Sequence, residues 1–221
     1  QFFLSSTLFR QRTLVAMSTA VASPPSDAPP TAGPSVHRFT REQYIRMAEI
    51  GILDADAHTE LLDGWIVDMV AQNAPHRAAI IRCTNLLVKR LDESGFVAQV
   101  QSTLPLDDRN VPEPDLAVFR GTPDDLLDAE PDDIPLIIEV ADSSLARDRT
   151  DKLRCYAQND IPEYWILNLQ AETLEVYREP ARGEYRRRET LTRNDTAVLA
   201  FLDADDDARS VAVDQLLPGS S

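Results

Sequence analysis

Two short apolar runs, PEPDLAVF at residues 112–119 and IPLIIEVA at residues 134–141, each carry an acid where a buried strand has little use for one. Their length and their content of Val, Ile and Leu read as strands. The acidic connector TPDDLLDAEPDD lies between them. A hairpin folded symmetrically about residue 127 puts Phe119 opposite Pro135 and Asp115 opposite Glu139. Directly opposed residues on antiparallel strands hold their Cβ atoms roughly 4.5–5.5 Å apart. Two carboxylates so placed among Val118, Ile137 and Ile138 repel at a cost to folding unless something neutralises them. A divalent cation does so directly, and an all-oxygen site suits Mg²⁺ or Mn²⁺. The competing reading turns one of the two acids to solvent at a strand end.

The rest of the chain reads as elements around that hairpin. Thr40 can cap a helix over REQYIRMAEIGI, with Tyr44, Met47 and Ala48 on one face and Gly51 as its stop. ELLDGWIVDMVA splits into two runs around Asp63-Gly64, a dipeptide that favours a tight hairpin. Pro75 starts a long amphipathic helix, HRAAIIRCTNLLVKRLDES, stopped at Gly95. Further strands are expected at FVAQVQS, EYWILNL, TLEVYRE and EYRRRETL, and a helix across DRTDKLRCYAQND. The fold class is α/β: a mixed, mostly antiparallel sheet flanked by helices. The domain is expected over residues 37–205, after a disordered tail at 1–36 and before a C-terminal tail at 206–221. The first segment holds five of the 15 prolines and a single acid, Asp27. Met17 opens a plausible start, so residues 1–16 read as upstream translation; a transit or signal peptide is disfavoured because Arg10 and Arg12 break the apolar stretch.

Two further residues bear on the proposed pair. Leu153, Tyr156 and Ala157 mark the buried face of the helix after Glu139, and Lys152 stands one turn before Tyr156 at the border of that face. The chain has 20 arginines and only two lysines, Lys89 and Lys152. A compact ammonium can be desolvated and can act on a water or a developing oxyanion where a guanidinium cannot substitute. An Asp148–Lys152 surface pair is the plain alternative. Glu60, in TELLDG, stands at the boundary of a helical region just before a strand and is either a third site carboxylate or an ordinary helix-terminal acid. His76, at a helix start, reads as a capping or surface residue more readily than as a phosphate contact. Tyr164 and Trp165 read as core, and Ser143 and Ser144 as caps of the next helix.

Composition excludes several classes. No apolar run reaches the 18 residues of a membrane span. Cys83 and Cys155 lie far apart with no CxxC spacing and read as buried thiols in a reducing, cytoplasmic setting. Three scattered histidines, His37, His58 and His76, do not make a His/Cys zinc site. The formal charge of −15 argues against a phosphate-bearing partner until it is divided. Residues 54–68 hold five acids and no base, 121–133 six acids and no base, and 201–221 five acids against Arg209, which accounts for all of it. Arg147, Arg149 and Arg154, with six arginines in 178–193, leave room for a local basic face.

TELLDGWIVDM, APH at a helix start, PEPDLAVF, IIEVADSS, DRTDKLRCYAQNDIPEYWIL and TLEVYRE, in this order, resemble the Uma-type putative restriction endonuclease family of the PD-(D/E)XK nuclease superfamily. The resemblance runs from about Phe39 to about Ala200, and its most specific part is Glu139-Val-x-x-Ser-Ser followed by Asp148-x-x-x-Lys152-x-x-x-Tyr156. It implies a restriction-endonuclease-like core and a metal-dependent endonuclease acting on DNA. Asp115 and Glu139 are then metal ligands, Glu60 helps to bind metal or orient water, and Lys152 is the catalytic lysine, with Asp148 in support. Ala141 stands where the wider superfamily commonly has that lysine, so Lys152 fits a lysine moved onto the next helix. The implied cofactor is Mg²⁺ or Mn²⁺; a homodimer is left open. The alternatives are a non-catalytic binding or regulatory module on the same fold, and a carboxylate-metal hydrolase of another phosphoester.

Overall fold

The hairpin expected about residue 127 forms in that register: Leu116 faces Ile138, Ala117 faces Ile137 and Val118 faces Leu136. The structure is a computed structural model that describes residues 36–54, 57–91, 94–128, 133–203 and 205–219. The expected tail at 1–36 lies, apart from Val36, outside the described residues. In chain order the elements are α1 (Arg41–Glu49), β1 (Thr59–Leu62), β2 (Trp65–Asp68), α2 (Ala74–Leu91), β3 (Phe96–Val100), β4 (Leu116–Arg120), β5 (Leu136–Ala141), α3 (Leu145–Arg147), a π turn (Asp148–Lys152), α4 (Leu153–Gln158), β6 (Glu163–Asn168), β7 (Thr173–Ala181), β8 (Glu184–Thr192), β9 (Thr196–Val198), α5 (Asp206–Arg209), β10 (Ser210–Ala212) and α6 (Val213–Leu216).

Strands β3 to β8 form one six-stranded sheet in sequence order. Only β5 and β6 run parallel, because the helical crossover α3–α4 joins them; the other neighbours are antiparallel. Both faces are covered, so the central strands are apolar almost throughout. Leu116, Val118, Ile138, Val140 and Trp165 face α2, while Ala117, Phe119, Ile137, Tyr156 and Tyr164 pack on the other side. Tyr164 and Trp165 are fully buried, as core residues should be. Cys83 and Cys155 are buried free thiols.

The β1–β2 hairpin stands apart from the main sheet, and its turn, Asp63-Gly64, takes positive φ at both positions, 49° and 77°. A Cβ on Gly64 would come within 2.7 Å of the Arg38 Cβ, so glycine is needed for closeness as well as for φ. Two backbone bonds between Leu61 and Val111, 3.2 and 2.8 Å, tie this hairpin to the segment leading into β4.

The expected C-terminal tail is not one. Residues from Asp206 onward form α5, β10 and α6, with β10 pairing to β9. Val211, Val213, Leu216 and Leu217 are buried in the same core as α2. Each such side chain contributes roughly 1.5–3 kcal/mol when buried, so this segment belongs to the domain.

Candidate active site

Four acids and one lysine meet at the end of β4 and β5. Asp115 immediately precedes β4, Glu139 lies in β5, and by strand alternation both point to the face that carries α4. Val140 N–H donates to Asp115 Oδ2 at 2.8 Å, and Asp115 N–H donates to Glu139 Oε2 at 3.4 Å, so the two acids are laced together across the hairpin.

Glu60 reaches the same place from a strand. It lies within β1 rather than at a helix boundary, the local pattern being the Leu61 and Leu62 positions buried by the hairpin's tie to Val111. Its side chain is within 3.2 Å of Lys152 Nζ and 3.8 Å of Arg147 Nη1.

Lys152 ends the π turn that interrupts the crossover helix. Thr150 Oγ1 donates to the Ala146 carbonyl at 2.8 Å, side-chain competition of the kind that loosens an α-helical ladder. Wide turns of this type are frequent at functional sites. Lys152 Nζ donates to Glu139 Oε1 at 2.8 Å, and Tyr156, one turn on, donates its hydroxyl to the same oxygen at 2.6 Å. The surface pair between Asp148 and Lys152 is not what forms: both are buried. Asp148 accepts a 2.6 Å bond from Ser144 Oγ. Ser144 sits at the α3 N-cap position but makes no side-chain cap bond, contrary to the capping role read from sequence.

His76, expected at the surface, is in the site. It enters from the first turn of α2 and places Nε2 3.3 Å from Asp115 Oδ2. Burial opposes a charge on its ring, but the hydrogen bond and charge of Asp115 win, and its pKa is raised above 6.5. The sequence reading passed over two more residues of the cleft, Glu113 and Asp142. The alternating prolines around Glu113 were a signal, since they fix the backbone that carries it toward Lys152. Tyr156 was legible as part of the buried helix face, though not its bond to Glu139.

The electrostatic balance is unfavourable for the acids. Glu60, Asp115, Glu139 and Asp148 are 1, 8, 3 and 1% exposed, with Lys152 at 5% as the buried cation among them. Burial pushes the Glu139 carboxyl up to about 8; Lys152 opposes this, and Asp115, Asp148 and Glu60 add to it. Burial likewise takes Asp148 to about 6, against Lys152. Lys152 itself stays charged: burial disfavours its ammonium, but Glu139, Glu60 and Asp148 together raise its pKa above the ordinary value.

The donor chemistry fits a hard divalent cation, because every acid offers oxygen and the cluster holds more buried negative than positive charge. The side chains do not form a closed shell as they lie. Among the described residues no three His, Cys, Asp or Glu groups converge as metal ligands, and Lys152 stands between Glu60 and Glu139. Of the three arginines expected to form a basic face here, only Arg147 lines the cleft; Arg149 is taken by Glu175 and Arg154 by Asp151.

The model of the Uma2 family, described as "Putative restriction endonuclease", matches residues 41–207. The chain belongs to the Uma2 family. No curated protein matches it by sequence. Among solved structures it is similar to a putative nuclease belonging to DUF820 from Anabaena variabilis ATCC 29413, with a TM-score of 0.61 at 13% identity, over 80% of this chain and 97% of that one. At that identity the likeness shows a shared fold. No described helix is long and apolar enough to cross a membrane.

Proposed function

We propose that this Uma2 protein is a divalent-cation-dependent endonuclease that hydrolyses phosphodiester bonds in DNA. The observation that carries the reading is the excess of buried carboxylate around one lysine at a cleft, in a chain whose family is described as "Putative restriction endonuclease".

Asp115 and Glu139, aided by Glu60, would hold Mg²⁺ or Mn²⁺. Such an ion lowers the pKa of a water and offsets charge on the scissile phosphate. Lys152, fixed by Glu139 and Glu60, has one further ammonium proton, which lies at a long 3.5 Å contact with the Glu113 carbonyl and can turn to the attacking water or to the charge that develops on the phosphoryl oxygens. Water attacks phosphorus, a P–O ester bond breaks, the attacking water loses a proton and the leaving oxygen gains one. Arg147, at the cleft wall, faces incoming phosphate.

The test is nicking of supercoiled plasmid across a Mg²⁺ series. Wild-type protein cleaves; Asp115→Ala and Glu139→Ala abolish cleavage while circular dichroism stays native. Wild type that nicks no faster than the combined Asp115→Ala/Glu139→Ala variant ends the enzyme reading in favour of a binding module.

A further inference from the structure

The two proposed ligand acids each use their oxygens unequally. On Asp115, Oδ2 takes both the Val140 N–H at 2.8 Å and His76 Nε2 at 3.3 Å, and no hydrogen bond among the described residues falls on Oδ1. On Glu139, Oε1 takes both the Lys152 ammonium at 2.8 Å and the Tyr156 hydroxyl at 2.6 Å, while Oε2 has only the long 3.4 Å contact with Asp115 N–H. His76 comes from the first turn of α2 and Tyr156 from α4, so the two acids are held by two different helices. The backbone N–H of His76 donates to Asn73 Oδ1 at 3.0 Å and fixes the residue at the start of α2, while its ring Nδ1 is buried with no hydrogen-bond partner among the described residues; Tyr156 is fully buried with its ring 4.9 Å from that of Tyr164.

We infer that His76 and Tyr156 are positioning residues that occupy one oxygen of each ligand acid, Asp115 Oδ2 and Glu139 Oε1, and so dedicate Asp115 Oδ1 and Glu139 Oε2 to the divalent ion. This rests on the cation-dependent reading above. A carboxylate free to rotate presents either oxygen and must lose that freedom on binding; a gripped one has lost it already. Neither residue touches the ion or the substrate in this arrangement. Their effect is on how well the two acids are aimed.

The experiment is Mn²⁺ binding to the full chain, followed by electron paramagnetic resonance of the free ion and run beside plasmid cleavage. His76→Ala and Tyr156→Phe each weaken Mn²⁺ binding about 10- to 100-fold, the usual consequence of removing an outer partner of a ligand. His76→Gln, whose amide can donate to Asp115 Oδ2 as the imidazole does, recovers most of the affinity. Saturating Mn²⁺ restores most cleavage in each variant, which a misfolded or unstable protein would not show. If wild type binds Mn²⁺ and both variants bind it as tightly, this inference is overturned and the nuclease reading survives. If wild type binds no Mn²⁺, both are overturned.

Discussion

Glu175 and Glu139 are buried acids on the same face of the same sheet, two strands apart, and they are treated in opposite ways. Glu175, on β7, is surrounded by donors: Arg149 Nε at 3.1 Å, Arg188 Nη2 at 3.0 Å and the Tyr177 hydroxyl at 2.6 Å. Burial would raise its carboxyl, but the bonds from Arg149 and Tyr177 and the charges of both arginines outweigh it and hold the group below its ordinary 4.5. Glu139, on β5, has one lysine, shared with Glu60, and three acids nearby, and it rises to about 8. The fold therefore has the means to neutralise a buried carboxylate and uses them in full at Glu175. Under the proposed function, the shortfall at Glu139 is stability given up for chemistry.

Removing the cation from the poorly compensated cluster has the largest expected effect. Lys152→Met leaves Glu60 and Glu139 buried without their ammonium and costs about 3 kcal/mol in urea unfolding. A loss under about 1 kcal/mol would mean the acids are already neutral and the contrast is weaker than drawn. Removing the acid from the well-compensated cluster costs less: Glu175→Gln is expected to lose about 2 kcal/mol, because Arg149 and Arg188 are partly exposed and rehydrate. Cleavage by the folded fraction stays at the wild-type rate.

The pH dependence of that second loss sharpens the comparison. Glu175 has a folded pKa below its unfolded one, so its contribution is complete above pH 4.5 and disappears as pH falls through the folded value. The gap between wild type and Glu175→Gln should close in unfolding titrations below that point. The smallest effect has the opposite sign. Asp115→Asn with Glu139→Gln removes two insufficiently paired charges and is expected to raise stability in chelator by about 1 kcal/mol while abolishing cleavage. Destabilisation of this double variant would make Glu139 a structural acid like Glu175.

Much of this site was legible along the chain, for one reason: Asp115 and Glu139 belong to a single hairpin, whose symmetry about residue 127 fixes the register from sequence alone. Lys152 was legible as an isolated lysine beside a buried helical face. The rest depends on contacts between distant segments. The hairpin of ELLDGWIVDMVA is legible from Asp63-Gly64, but nothing in it shows that Leu61 pairs with Val111 and that Glu60 thereby reaches Lys152. His76 meets Asp115 only because α2, packed on the sheet, begins beside β4 and β5. The π turn carries no sequence marker beyond Thr150. At the C-terminus, acids around residue 205 masked the short apolar run VAVDQLL that completes the core.

Calorimetric titration of Mg²⁺ into wild type and into the Asp115→Asn/Glu139→Gln variant tests the central claim most directly. A saturable single-site heat in wild type that is absent from the double variant is the expected result. Equal heats in both proteins, or none in either, would contradict the assignment of these acids to a divalent ion.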